Sequence, residues 1–308
     1  MPPRIVFMGS PEFSLPTLKA LAAHYPLVGV VTQPNRPAGR GRTLTPPPVK
    51  VVAEELGIAT IQPRRLREQE AMDQLIAWAP ELIVVAAFGQ ILRQEVLSLP
   101  RHGCLNVHAS LLPRWRGAAP IHAAILSGDT QTGVTIMRMD AGADTGDILA
   151  QRAAPILETD TAGTLALHLA GLGADLLLET IPGYLTGIVQ PRAQEAGLAT
   201  HAPMLKKEDG LLDFSQPADL LARKVRAYQP WPGAFLLWAG GQLKILKAHA
   251  LAESGDKPGD LLVRGGLPAV GAAGGLLVLD TVQPAGKRPM DGRDFLSGAR
   301  GWATTAPV

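Results

Sequence analysis

Asn106 and His108 stand two residues apart in the stretch Cys104-Leu-Asn-Val-His-Ala-Ser-Leu-Leu-Pro113. On an extended backbone alternate residues share a face, so a strand through Cys104–Val107 aims both side chains the same way. An amide donor beside a titratable imidazole suits addition to a carbonyl. The amide stabilises a developing oxyanion, and the imidazole moves a proton near neutral pH. The same spacing also fits a turn-capping amide beside a semi-buried histidine of purely structural role. A second cluster, Asp140-Ala-Gly-Ala-Asp-Thr-Gly-Asp147, holds three aspartates and two glycines. It lacks the glutamate and the ligand spacing of a calcium-binding EF-hand. One aspartate from it reaching His108 would orient the ring, although ordinary turn chemistry accounts for the cluster as well.

Other chemistries find less support. Met8-Gly-Ser-Pro11 lacks the spacing of a dinucleotide fingerprint, and the chain has neither a Walker A motif nor a G-x-S-x-G elbow. His102, Cys104 and His108 lie close in sequence, but Gly103 interrupts them and Cys104 is the only cysteine, which makes a poor zinc site. The remaining histidines read as structural or surface residues. Trp231, in Tyr-Gln-Pro-Trp-Pro-Gly233, reads as a packing corner rather than a base-stacking platform.

The elements that must carry these residues alternate in type. Strands are expected at Ile5–Met8, Leu27–Thr32, Leu82–Ala87, Cys104–Val107, Gly133–Met139 and Ile148–Arg152. Helices are expected from Ser10 as N-cap to about His24, then over Val49–Leu56, Glu68–Trp78, Ala118–Leu126 and Thr161–Ile181. Such alternation implies an α/β domain with a mostly parallel, helix-covered sheet, in which ligands bind beyond the carboxyl ends of strands. After about residue 190 the pattern changes. Pro191–Asp209 is polar and turn-rich. One helix (Pro217–Tyr228) then precedes short strands at Ala234–Trp238, Leu243–Ala248, Asp260–Val263 and Leu276–Val282, a pattern that favours a compact β-barrel.

Composition bounds the reading. The 308 residues are 46% hydrophobic and only 18% charged, with 33 glycines and 27 prolines, so a sizeable core with many shaped loops is expected. A single cysteine excludes an internal disulfide. The longest uninterrupted apolar run, Leu82–Phe88, falls short of the roughly 20 residues that span a bilayer. The N-terminus has no signal-peptide core, so a cytoplasmic protein with no membrane partner is expected. The net charge of +2 conceals an uneven distribution: residues 1–202 carry a net −1 and residues 203–308 a net +3. Within the first part, residues 33–50 hold Arg36, Arg40, Arg42 and Lys50 with no acid. A basic Gly/Pro-rich loop on an acidic body, with a basic C-terminal part, suits a polyanionic partner but equally a solvated loop whose arginines aid solubility, and its composition suggests mobility.

Six motifs together resemble the methionyl-tRNA formyltransferase family over nearly the whole chain. They are Met8-Gly-Ser-Pro-Glu-Phe13, Gln33-Pro-Asn-Arg-Pro-Ala-Gly-Arg-Gly41, Asn106-Val-His-Ala-Ser-Leu-Leu-Pro-Arg-Trp-Arg-Gly117, Asp144-Thr-Gly-Asp-Ile-Leu149, Gln229-Pro-Trp-Pro-Gly-Ala-Phe235 and Val282-Gln-Pro-Ala-Gly-Lys287. The third alone identifies only the wider folate-dependent formyltransferases; the basic loop and the C-terminal motifs narrow it to the tRNA branch. The resemblance implies a Rossmann-like catalytic domain at 1–190, a linker at 191–207 and an OB-like tRNA-binding barrel at 208–308. It implies transfer of a formyl group from 10-formyltetrahydrofolate to the α-amine of initiator methionyl-tRNA by a monomer that uses no metal. It assigns catalysis to Asn106, His108 and Asp144, and folate contacts to Ser110, Leu111, Leu112, Pro113, Phe88 and Gly89. Contacts to tRNA fall to Arg36, Arg40, Arg42, Lys206 and Lys207. The chain departs from the family pattern at Phe88 (commonly tyrosine), Ala143 (commonly leucine) and Met204 (commonly lysine). A folate-dependent enzyme acting on an amino-sugar nucleotide would share the catalytic trio but would not need the basic loop. A non-catalytic RNA-binding protein would need none of the three.

Overall fold

The computed structural model describes residues 2–38, 41, 43–253 and 257–304. Its first sheet has seven strands: β1 (Ile5–Gly9), β2 (Leu27–Val31), β5 (Thr60–Ile61), β6 (Leu82–Ala86), β7 (Cys104–His108), β9 (Gln131–Arg138) and β10 (Ile148–Pro155). They lie in the order β10-β9-β7-β6-β1-β2-β5. The five strands from β7 to β5 are parallel, whereas β9 and β10 run antiparallel to their neighbours. The chain enters at β1, moves outward through β2 and β5, then returns to β6 and β7 on the other side of β1. Strand order therefore reverses between β1 and β6, the switch point where an open α/β sheet leaves a crevice at its carboxyl edge. Every residue of β1 and β6 is buried, as strands covered on both faces require.

The helices up to residue 185 are α1 (Leu15–His24), α2 (Pro48–Glu55), α3 (Gln69–Trp78), α4 (Gln94–Leu97), α5 (Pro120–Ser127) and α6 (Ala162–Leu185). At 24 residues α6 has the length and apolarity of a membrane span, which a search for uninterrupted apolar runs overlooked. Half of it is buried, with Leu165, Leu169, Leu177 and Ile181 fully so, as in a core helix of a globular sheet. Gly173 allows close approach to the sheet: a Cβ there would stand 2.6 Å from Val107 Cγ1.

One local expectation is corrected. Ser10 does not cap a helix. A 3-10 turn over Glu12–Ser14 precedes α1, and the Ser10 hydroxyl accepts instead from Gln33 N at 3.1 Å. Within the basic loop, β3 (Arg36–Ala38) and β4 (Thr43–Thr45) pair antiparallel.

The short strands β8 (Arg116–Gly117) and β11 (His201–Ala202) follow the site segments. The C-terminal part forms a separate antiparallel sheet from β12 (Ala234–Trp238), β13 (Gly241–Leu251), β14 (Leu261–Arg264), β15 (Leu267–Ala272), β16 (Gly275–Pro284) and β17 (Met290–Asp291). Helices α7 (Ala218–Ala227) and α8 (Gly292–Gly298) accompany it. Trp238, Phe295 and Trp302 meet edge-on or tilted at 5.2–5.8 Å, and Trp302 Nε1 donates to Leu262 O at 2.8 Å. The chain forms two compact units that no single cut separates. One holds residues 1–120, 131–155 and 166–201; the other holds 121–130, 156–165 and 202–308. Within the second, Arg223 and Arg226 of α7 donate to the carbonyls of Leu126 and Asp160 and so secure the two early segments.

Candidate active site

Strand β7 is held on both sides, Asn106 opposite Val85 of β6 and opposite Met137 of β9, so the pleat sets Asn106 and His108 on one face. Asn106 is half-buried and His108 is 6% exposed. The Nε2 atom of His108 lies 3.0 Å from Trp115 O, and Nδ1 lies 3.7 Å from Asp144 Oδ1. Both ring nitrogens thus face oxygen atoms, the Nδ1 contact being longer than a hydrogen bond.

Asp144 is held in an uncommon conformation. Its φ is +56°, a left-handed geometry that aspartate adopts more readily than most residues. Its Oδ2 accepts from Gly117 N at 2.9 Å, which leaves Oδ1 toward His108. The same loop is tight at Gly146, where a Cβ would stand 1.9 Å from Arg138 O.

Ser110 to Pro113 is clasped to the sheet. Thr135 Oγ1 donates to Ser110 O (2.6 Å) and accepts from Leu112 N (3.0 Å), while Gln151 Nε2 donates to Leu112 O (2.8 Å). The Ser110 hydroxyl is fully buried and donates to Arg114 O at 2.6 Å. Leu112 packs with Met137 and Ile148. Of the four residues only Leu111 and Pro113 keep partly open side chains; Ser110 and Leu112 shape the segment from inside.

Phe88 is buried as well: its ring is 2% exposed and packs in the core with Leu66, Leu92 and Val96. Its carbonyl accepts from Gln33 Nε2 at 3.0 Å, and Gly89 follows with φ +80°. Arg36 is exposed on β3. Arg40 and Arg42 lie outside the described residues. Lys206 and Lys207 are exposed at a 3-10 turn over Lys207–Gly210, in the unit that does not hold Asn106, His108 and Asp144.

Sequence reasoning missed a cleft of about 580 Å³ lined by Arg65, Arg67, Arg93, Gln90, Ile91 and Glu95 among others. Gln90 staples its walls, accepting from Leu66 N (2.9 Å) and donating to Pro63 O (3.1 Å). These loops follow β5 and β6, so the cleft opens on the same carboxyl edge as Asn106 and His108. The available signal was three arginines in the loops after two parallel strands. Among the described residues no group of three His, Cys, Asp or Glu side chains is placed to hold a metal ion. Burial pushes the Cys104 thiol up to about 12, which suits packing and not ligation.

The chain matches known proteins along nearly its whole length. The model of the formyl transferase family matches residues 4–181, and that of the formyl transferase C-terminal domain matches 204–300. The chain is 47% identical over 304 residues to the methionyl-tRNA formyltransferase of Roseiflexus sp. (strain RS-1), covering 97% of this chain and 94% of that one. It is 49% identical over 299 residues to the methionyl-tRNA formyltransferase of Chloroflexus aurantiacus (strain ATCC 29366 / DSM 635 / J-10-fl), covering 96% of each. Among solved structures, WlaRD, a sugar 3N-formyl transferase determined in the presence of dTDP and 5-N-formyl-THF, has a similar fold. Its TM-score is 0.67 at 17% identity, covering 94% of this chain and all of that one. With both domains matched in order and an Asn-His-Asp constellation assembled at the carboxyl edge of its sheet, the chain belongs to the formyl transferase family.

Proposed function

We propose that this protein transfers the formyl group of 10-formyltetrahydrofolate to the α-amine of initiator methionyl-tRNA, in the cytoplasm, for translation initiation. The observation that carries the reading is Asp144 Oδ1 at 3.7 Å from His108 Nδ1, on the strand face that His108 shares with Asn106 and beside the Ser110–Pro113 segment. Identities of 47–49% over nearly the full length to methionyl-tRNA formyltransferases support the tRNA acceptor.

In this reading the methionyl amine attacks the formyl carbon and a tetrahedral oxyanion forms. The Asn106 amide donates a hydrogen bond to it, and the protonated His108 ring stabilises its charge. Asp144 holds His108 and relays the proton lost by the amine. The bond from carbon to the folate N10 then breaks, N10 receives the proton, and tetrahydrofolate leaves. Leu111, Pro113 and the backbone at Gly89 contact the donor. Arg65, Arg67 and Arg93 offer positive charge to its glutamate carboxylates at the same edge. Arg36, Arg40, Arg42, Lys206 and Lys207 contact tRNA phosphates, and residues 208–308 form the tRNA-binding domain.

The test offers labelled 10-formyltetrahydrofolate with methionyl-tRNA and with a dTDP-amino sugar in parallel. Label on methionyl-tRNA alone is expected. Label on the sugar alone would keep the chemistry and overturn the acceptor.

A further inference from the structure

Residue Gln194 lies in the polar stretch that reads as a linker, 50 positions from Asp144, yet its side chain reaches the catalytic loop. Its Nε2 donates to two loop carbonyls, Asp144 O at 2.9 Å and Gly146 O at 2.7 Å. Its Oε1 accepts two bonds from Arg116, from Nε at 3.0 Å and from Nη2 at 2.8 Å. The backbone brings it there: Ile148 N donates to Arg192 O and Arg192 N to Ile148 O, at 2.8 and 2.9 Å, which lays residues 192–194 along the loop.

These contacts close a ring. Arg116 holds Gln194, Gln194 holds the backbone of Asp144, and Asp144 Oδ2 accepts from the amide of Gly117, the residue after Arg116. A non-glycine residue at φ +56° persists only where its surroundings hold it. The ring supplies that hold, and it leaves one carboxylate oxygen, Oδ1, for His108. Arg116 is 8% exposed and makes its side-chain bonds with a neutral amide, so its charge is directed at orienting Gln194.

We infer that Gln194 and Arg116 are positioning residues that hold the Asp144 loop in its working geometry. The inference rests on the formyl-transfer reading for its kinetic consequence, but not for its structural one. Small displacements at a catalytic group cost up to about 100-fold in rate.

The variant Gln194→Glu separates this role from folding. Its carboxylate still accepts from Arg116, more strongly than the amide, but it cannot donate to the carbonyls of residues 144 and 146. We expect kcat to fall about 10- to 100-fold while KM for both substrates stays within about twofold and the far-UV circular dichroism remains that of the parent. In an Asp144→Asn background the same substitution should cost nothing more, because both changes act on one group. An unchanged kcat, or an equal loss in both backgrounds, overturns the inference. Hydrogen exchange of the full-length protein over residues 117 and 140–147 gives a readout independent of activity. Faster exchange in Gln194→Glu supports the clamp, and unchanged protection overturns it. If the parent protein transfers no formyl to methionyl-tRNA, the proposed function fails, and the exchange measurement alone decides the clamp.

Discussion

At the scale of single residues, the constellation is a division of labour between two oxygens and two nitrogens. Asp144 gives Oδ2 to Gly117 and Oδ1 to His108, whose other nitrogen faces Trp115 O. Removing one oxyanion donor typically costs about 10²–10³-fold in kcat, so Asn106→Ala should lose that much in a single-turnover transfer assay without losing donor binding. Thr135 tests the neighbouring segment. Thr135→Val keeps the shape but strands the buried Leu112 N–H, a loss of about 1–3 kcal/mol. It should lower the midpoint of urea unfolding and raise KM for the folate donor. Asn106 and His108 stood out by type and spacing, whereas Asp144 was singled out among the three aspartates of its loop only by the family resemblance. Gln194 was not legible, because its partners lie 50 and 78 positions away and nothing local marks an amide in a polar stretch.

Secondary-structure elements were legible where apolar period and length agreed, as in β1, β6 and β7. They were missed where breakers interrupt the pattern. Pro268 and Gly271 hide β15 in sequence; in the structure Pro268 precedes the first residue paired with β16, where its missing N–H costs no ladder bond there. Ser10 looked like a helix cap because the turn before α1 is short and its hydroxyl is claimed by the end of β2, a tertiary contact. Burial in β7 also sets the reactivity of the only cysteine. With Cys104 1% exposed and its thiol pushed up to about 12, iodoacetamide at pH 8 should leave the folded protein unlabelled and label it rapidly in guanidinium, as mass spectrometry would read. The packing of α6 on β7 makes its own prediction: Gly173→Val drives a side chain into Val107 and should lower Tm by several degrees in calorimetry.

The whole molecule carries its basic excess in two places, the loop over residues 33–50 and the C-terminal part. If these engage tRNA phosphates, Arg42→Ala should weaken binding across tRNA sequences and reduce the slope of log K against log salt by about 1. The class of each half was legible from alternation and turn spacing. The makeup of the compact units was not, because residues 121–130 and 156–165 join the later unit through contacts distant in sequence. That unit also carries an acid sensitivity. Burial holds His122 below its ordinary value near 6.5, against an opposing hydrogen bond to the Trp231 backbone, and among the described residues its Nδ1 has no partner. The unfolded chain takes up the proton first as pH falls, so stability present above about pH 6.5 declines below it. His122→Gln should lose less Tm than the parent between pH 7 and pH 5.5.

The most direct test of the central claim is the single-turnover rate of formyl transfer from 10-formyltetrahydrofolate to methionyl-tRNA in the parent and in His108→Ala. A fall of at least about 100-fold, with the dissociation constants of both substrates unchanged, is predicted. An undiminished rate in His108→Ala would contradict the claim that this constellation performs the transfer.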